Sequence, residues 1–464
     1  MTAPLVCMLS AAHPPADVRV VGKEGAALAG AGWRVLHLCP APSGQDASAP
    51  LREEPGGGGM GGAPESHAGV AIRTYRRAPG WRGRVLGIPA LARHAAATGA
   101  AVLHASEPDA WIAAILAARR CGARVVLDVH EHYPSRLDAR LPAPLRPLAR
   151  AAIRLACRAS ARSADAVVVA KDGLDRDFAA PHRTIAVRNY ASPAAVVPRV
   201  HGAGPLRLVH LGALGRARGA LEMLGALALC PPDTRLRLVG RFTDGSDAAF
   251  QALAVALGLA GRVEHLGWMP HDAALDAAAA ADIGLVLFQP GVENHRLALP
   301  HKLFDCMLAG LPIIAPAFAE EVAAVVREAG CGLLVDTADA AAIAAAIARL
   351  RDPALRAEMG ARGRAAALGR FAWPAEAARL VRLYHRLAPQ GGTPALAAET
   401  RVAGIQGSLG RDIARWDAGR GHPGPWKAGP GNAGLGNTGL GNTGLENIVL
   451  GHADLRDSGP RGTG

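Results

Sequence analysis

Apolar runs of strand length recur along the first 388 residues, each followed by a stretch able to form a helix, and the series breaks once, between residues 189 and 205. Strands read as continuous apolar runs, not alternating ones, when a parallel sheet is covered by helices on both faces. Before the break the runs fall at 5–9, 34–39, 70–75, 101–104, 124–129, 166–169 and 184–187. After it they fall at 206–211, 235–239, 263–266, 283–288, 313–315 and 332–335. The break is rich in Pro, Gly and Ala and reads as a linker. An α/β chain of two doubly wound units follows, over 1–195 and 205–370. Strand 5–9, helix 19–29 and strand 34–39 open it as a β-α-β element closed by Gly30-Ala31-Gly32. Those glycines follow the helix instead of leading into it, which argues against a dinucleotide fingerprint and a dehydrogenase. Residues 41–68, with Gly56 to Gly59 in a row, read as a flexible loop. The Gly- and Pro-rich residues 389–464 read as a disordered tail.

One stretch of the second unit is punctuated at both ends. In Pro300-His-Lys-Leu-Phe-Asp-Cys-Met-Leu-Ala-Gly-Leu-Pro312, Pro300 suits a helix start, Ala309-Gly310 a C-terminal cap, and Pro312 blocks continuation into the apolar run Ile313-Ile314-Ala315. With the run at 283–288 before it, the order is strand, loop, helix, strand. That places the helix start at the carboxyl edge of a sheet, where open parallel sheets bind ligands. A helix start offers free N–H groups and partial positive charge to a diphosphate, and Lys302 adds a cation. Asp305, three residues on, shares a face with Lys302 and can accept hydrogen bonds from a ribose diol. A solvated Lys/Asp pair on a surface helix fits the same spacing.

Composition bounds the rest. The chain has 464 residues, half of them hydrophobic, ample for two cores. Seven cysteines are scattered without a Cys-x-x-Cys pair, so neither a disulfide framework nor a zinc site is expected and a reducing cytosol suits the chain. The start lacks a basic region followed by a long apolar core, and no apolar run is long enough to span a bilayer. A cytoplasmic protein is expected. Net charge is +12, yet aromatics make up only 4% with no interleaved stacking residues, which argues against nucleic acid. Arg146, Arg150, Arg154, Arg158 and Arg162 recur every four residues along a predicted helix over 145–163. They form a basic stripe that suits either solvent or an anionic membrane surface at the inner face.

The segment Lys302-Leu-Phe-Asp-Cys-Met-Leu-Ala-Gly-Leu-Pro-Ile-Ile314 is similar to the signature Lys-Leu-Phe-Glu-Tyr-Met-Ala-Ala-Gly-Leu-Pro-Val-Ile of family 4 glycosyltransferases, retaining enzymes of the GT-B fold. It resembles the subgroup with a Pro-Asn-Lys-Leu-Phe-Glu pattern, with His301 in place of Asn. The resemblance implies two Rossmann-like domains facing across a cleft and a final helix, here 371–388, crossing back to the first domain. The signature's acidic residue, which binds the donor ribose, falls on Asp305. Many members carry a second Glu eight positions upstream. Here that position is Leu297, and the nearest carboxylate is Glu293. His210-Leu211-Gly212-Ala213-Leu214 with Arg218-Gly219 resembles the family's phosphate loop, making Gly212 and Arg218 donor-binding candidates, with Arg216 as a further cation. Leu238 to Arg241 and His265 to Pro270 resemble its nucleobase pocket.

First-domain candidates follow predicted strands: His13, His104 with Glu107, and His130-Glu131 in Asp128-Val129-His130-Glu131-His132-Tyr133-Pro134. In related enzymes a His at this last place contacts the transferred sugar. His130 and Glu131 are thus the catalytic candidates, and His13 and His104 the acceptor-side ones. The resemblance implies transfer from a UDP- or GDP-sugar to a glycan or lipid-linked acceptor in surface polysaccharide or glycolipid synthesis, with retention and without metal or cofactor. Asp175-Arg-Asp177, the one Asp-x-Asp considered as a metal motif, falls in a predicted helical stretch. A sugar-nucleotide epimerase of the same fold, using Glu107 or Glu131, and an inactive nucleotide-sugar-binding subunit are the alternatives.

Overall fold

The computed structural model describes residues 3–41, 66–78, 80–138 and 140–388. Most of the expected 41–68 loop and all of the 389–464 tail lie outside the described residues. Among those described, one sheet holds β1 (Leu5–Leu9), β2 (Arg34–Pro40), β3 (Ser66–His67), β4 (Val70–Tyr75), β5 (Val102–Ala105), β6 (Arg124–Val129), β7 (Ala166–Val169) and β8 (Thr184–Ala186). Its order is β3-β4-β2-β1-β5-β6-β7-β8, with every pair parallel except β3 with β4. A second sheet holds β9 (Arg207–Leu211), β10 (Arg235–Val239), β11 (Val263–Gly267), β12 (Ile283–Leu285), β13 (Ile313–Pro316) and β14 (Gly332–Val335), in the parallel order β11-β10-β9-β12-β13-β14. In both sheets the order reverses beside the first strand of the unit, between β1 and β5 and between β9 and β12. That reversal opens a crevice at the carboxyl ends of the strands.

The expected strands all form, and three differences have local causes. Ser66–His67, inside the expected loop, pairs antiparallel with β4 across a two-residue turn in which Ala68 and Gly69 both have positive φ. A primed hairpin turn needs that backbone, and Ala-Gly gives a weaker sequence signal for it than Asn-Gly. The helix expected over 19–29 begins as a π-helical turn, Val20–Gly25, before Ala26–Gly30 becomes α. Asp17 Oδ1 caps that start, accepting from the backbone N–H groups of Arg19 (2.8 Å) and Val20 (2.9 Å). The strand expected over 283–288 ends its ladder at Leu285, and Phe288 beyond it packs into the second-domain core. Asp175–Asp177 is a single 3-10 turn.

The helix Trp373–Leu387 packs Trp373, Leu380, Val381 and Tyr384 onto the same core as Val6, Met8 and Val126 of the first sheet. It therefore returns to the first domain, with Trp373 and Tyr384 as buried anchors. Tyr384 OH lies 2.7 Å from His104 Nδ1. Lys23 Nζ ties the same region to the linker, donating to Asn189 Oδ1 (2.8 Å) and the Tyr190 carbonyl (2.6 Å) while sitting 5.5 Å from the Trp373 ring centre. The Tyr190 ring in turn packs edge-on against Phe304 of the second domain, centroids 5.4 Å apart. Trp373→Ala is expected to cost about 3–5 kcal/mol in denaturant unfolding by leaving a cavity between helix and sheet. A loss under 1 kcal/mol would show that the helix is not held there.

Candidate active site at the interdomain cleft

The donor-side residues come from three strand ends of the second sheet. Gly212 follows β9, Gly240 follows β10, and the two approach so closely that a Cβ on Gly240 would lie 1.8 Å from the Gly212 carbonyl oxygen. Only glycine permits that contact, which leaves the Gly212 turn open above the strand ends. Gly219 does the same for the next helix: a Cβ there would meet the Leu287 carbonyl oxygen at 2.4 Å, so Ala220–Leu229 starts directly against the end of β12. Arg218 precedes that helix. Its guanidinium carbon is 4.8 Å from the Phe288 ring centre, and Lys302 Nζ is 6.0 Å from the same centre. Lys302 also donates to His210 Nε2 (2.9 Å), and burial together with the lysine holds His210 well below the usual imidazole range, as a neutral acceptor. Two cations from segments more than eighty residues apart thus share one aromatic floor.

The motif helix forms over His301–Leu308, with Pro300 before it and Gly310 after it at φ +72°. Asp305 is buried and accepts from His271 Nε2 and His301 Nδ1, both at 3.0 Å. Burial pushes its carboxyl upward, but the two imidazoles outweigh it and hold it below the ordinary carboxylate range. The anion is therefore maintained at neutral pH, one turn along the helix from Lys302. Beyond β10 and β11, Arg241 lies over the exposed Trp268 ring at 5.7 Å, on the segments expected to form the base pocket.

On the first-domain side, residues following β1, β5 and β6 interlock. The Glu107 carboxylate accepts three backbone N–H groups, from Ala11 (2.8 Å), Ala12 (2.9 Å) and His13 (3.2 Å), and so shapes the loop after β1. His13 Nδ1 is 3.0 Å from Asp17 Oδ2, and Nε2 is 3.5 Å from Glu107 Oε1. Burial lowers the His13 pKa, but the two carboxylates outweigh it and raise it to about 10. The His13 ring meets the His130 ring edge-on, centroids 5.2 Å apart. His130 Nε2 contacts Asp128 Oδ2, which also lies 3.4 Å from His104 Nε2, while Arg19 Nη2 bridges Asp128 (3.2 Å) and Glu24 (2.7 Å).

The structure brings His13 and His130 together, and Gly212, Arg218 and Lys302 together with Asp305 nearby. It corrects the placement of His104, expected at the cleft edge. That side chain is fully buried beneath it, where Glu24 and Asp128 overcome the burial penalty and raise its pKa to about 9. Arg216 is exposed on its turn, held through its backbone N–H to Asp244 Oδ2 (2.7 Å). Glu131 is half-buried and 3.7 Å from Arg136. Leu297 is buried within the first-domain core, where it lies beside Gly173, and Glu293 pairs with Arg296 at 2.5 Å. His132 N–H donates to Asn294 Oδ1 at 2.7 Å, a second tie across the cleft. Sequence reasoning passed over His271, Lys23 and Lys171. His271 directly follows the Met269-Pro270 turn and was within reach. Burial lowers the pKa of Lys23 to about 7 and that of Lys171 to about 8.

Residues 18–198 match the family model "Glycosyl transferase 4-like domain", and residues 205–352 match "Glycosyl transferases group 1". Among solved structures, sucrose-phosphate synthase of Thermosynechococcus elongatus superposes with a TM-score of 0.66 at 20% identity, covering 83% of this chain and 99% of that one. HepE of Anabaena, in complex with UDP and glucose, superposes with a TM-score of 0.60 at 17% identity, covering 83% and 100%. The fold is GT-B, and the two halves of the chain are each similar to a glycosyltransferase domain. Phosphatidyl-myo-inositol mannosyltransferase of Mycobacterium leprae is 30% identical over 172 residues, 37% of this chain and 43% of that protein. D-inositol 3-phosphate glycosyltransferase of Acidothermus cellulolyticus is 36% identical over 123 residues, 26% of each. The chain thus spans less than half the length of these curated relatives.

The raised His13 pKa has a signed consequence. Its contribution to stability is complete below about pH 6.5, the unfolded value, and is lost as pH rises through about 10. The stability gap between the native chain and His13→Gln, read by thermal unfolding, is expected to be widest at pH 6 and to narrow by pH 10. A gap independent of pH would rule out a protonated His13.

Proposed function

We propose that this protein transfers a hexose from a nucleotide-sugar donor to a glycan or lipid-linked acceptor, with retention of anomeric configuration and with no metal or cofactor in the reaction. The observation that carries this reading is the convergence of Arg218 and Lys302 over Phe288, one helical turn from the ionised Asp305. The diphosphate lies between the two cations and the open backbone of the helix starts, and Asp305 accepts hydrogen bonds from the ribose diol. The bond from the anomeric carbon to phosphate oxygen breaks as the cations take up charge on the leaving group. The acceptor oxygen bonds to the same face, and its proton passes to the departing phosphate oxygen. His130, held by Asp128 and set against the cationic His13, orients the transferred sugar.

Of the two carboxylates an epimerase would use, Glu107 already has both oxygens occupied by backbone N–H groups, which leaves that reading to Glu131. Leu297, packed into the first-domain core, keeps the inactive-subunit reading testable. A lipid-linked acceptor at the inner face of a membrane is supported by the helix Arg146–Arg162, which exposes Leu148 and Leu155 beside Arg158 and Arg162. The stripe is not a wholly open cationic face, since Arg150 pairs with Asp138 and Arg154 with Asp177. No described helix is long and apolar enough to cross a membrane.

Nucleotide release from UDP-, GDP- and ADP-sugars, with and without lipid extract and in the presence of EDTA, tests the reading. One donor is expected to be turned over, faster with extract and undiminished by EDTA. Lys302→Ala is expected to lower kcat by about 10²–10³ and Asp305→Ala to raise the donor KM by about 10–100-fold. Absence of donor turnover in the folded chain would favour the binding subunit, and rates unchanged in both variants would remove the site.

A further inference from the structure

We propose that His271, His301 and Asp305 form a binding site for a divalent transition-metal ion, and that such an ion competes with the donor for Asp305. The second half of the proposal rests on the reading of Asp305 as the ribose carboxylate. His301 and Asp305 are four residues apart on the motif helix and therefore lie on one face, the spacing by which helical side chains commonly share an ion. His271 is the first residue of the helix His271–Ala279. One ligand atom from each of the three residues falls within a group no wider than 4.8 Å.

The separations suit coordination. His271 Nε2 and His301 Nδ1 each lie 3.0 Å from Asp305 Oδ1. Ligand atoms about 2.1 Å from an ion and at right angles to one another stand about 3.0 Å apart, so these edges match neighbouring corners of an octahedron. Two imidazoles and one carboxylate leave the other positions to water, a donor set that suits Zn²⁺, Co²⁺ or Ni²⁺ and not Mg²⁺ or Ca²⁺. Lys23 of the first domain acts on both imidazoles and on Asp305, which further disfavours an ion held by charge alone. Access exists, because the His271 side chain is 41% exposed.

A second group of candidate ligands, Glu24, His104 and Asp128, differs in both respects. It is fully buried and already closed by Arg19 and by Tyr384. The site at Asp305 is open, and its carboxylate is the one the donor needs. An ion there withdraws Asp305 from the ribose, so it weakens donor binding and is no cofactor of the transfer.

The test uses the untagged, EDTA-stripped full chain, titrated with CoCl2 and followed by visible absorption and calorimetry, beside His271→Gln, His301→Gln and Asp305→Asn. One equivalent is expected to bind, at least about 10-fold more weakly in each variant, and to weaken the binding of the preferred nucleoside diphosphate. Equal Co²⁺ binding in the native chain and in His271→Gln, whose partly exposed position leaves the fold intact, would overturn the site, as would no binding at all. Co²⁺ binding that leaves nucleotide affinity unchanged would overturn the competition. Nucleotide binding measured in EDTA, with and without Asp305→Asn, reports separately on the donor reading.

Discussion

The packing of the final helix onto the first domain is the constraint on which the rest depends. Each sheet alone has an open crevice at its carboxyl edge, but a transfer site needs the two crevices to face each other at a fixed distance. Trp373–Leu387 supplies that by burying Trp373 and Tyr384 in the first-domain core, although the helix follows the second domain in sequence. Lys23 reinforces it at the point where first domain, linker and returning helix meet. The linker's Tyr190 then packs on Phe304, inside the motif helix itself. The candidate donor site is continuous with the linker, since Phe304 and Asp305 are neighbours.

Within that frame the two faces of the cleft are built differently. The second-domain face is made of close backbone approaches, at Gly240 over Gly212 and Gly219 against Leu287, with the half-buried Arg218 and Lys302 beside them. The first-domain face is a buried charge network in which Arg19, His104 and His13 balance Glu24, Asp128, Asp17 and Glu107. Burying so many charges is costly unless each is paired, and the pairing fixes the rings of His13 and His130 at the cleft. Leu297 adds an apolar contact between the faces.

The strand pattern was legible because parallel strands buried on both faces leave continuous apolar runs, and the runs at 124–129, 166–169 and 235–239 matched to the residue. The motif helix was legible from Pro300, Gly310 and Pro312, since its ends are set by local chemistry. What the sequence could not show was depth. His104 lies within β5 while His130 follows the end of β6, and the strand turns the His104 ring inward, to Tyr384 almost three hundred residues away. Lys23 and Lys171 are buried through tertiary packing that no local pattern records. His301 stands one turn before Asp305 in the motif itself, whereas His271 reaches it only because two helices from separate β-α units lie side by side.

The central claim is that one ligand spans Arg218, Lys302 and Asp305. A crystal structure of the full chain with the preferred nucleoside diphosphate tests it most directly. Density is expected with the phosphates between Arg218 and Lys302 beside Phe288 and with the ribose hydroxyls within about 3 Å of the Asp305 carboxylate. Nucleotide bound elsewhere, or bound with its ribose turned away from Asp305, would contradict it.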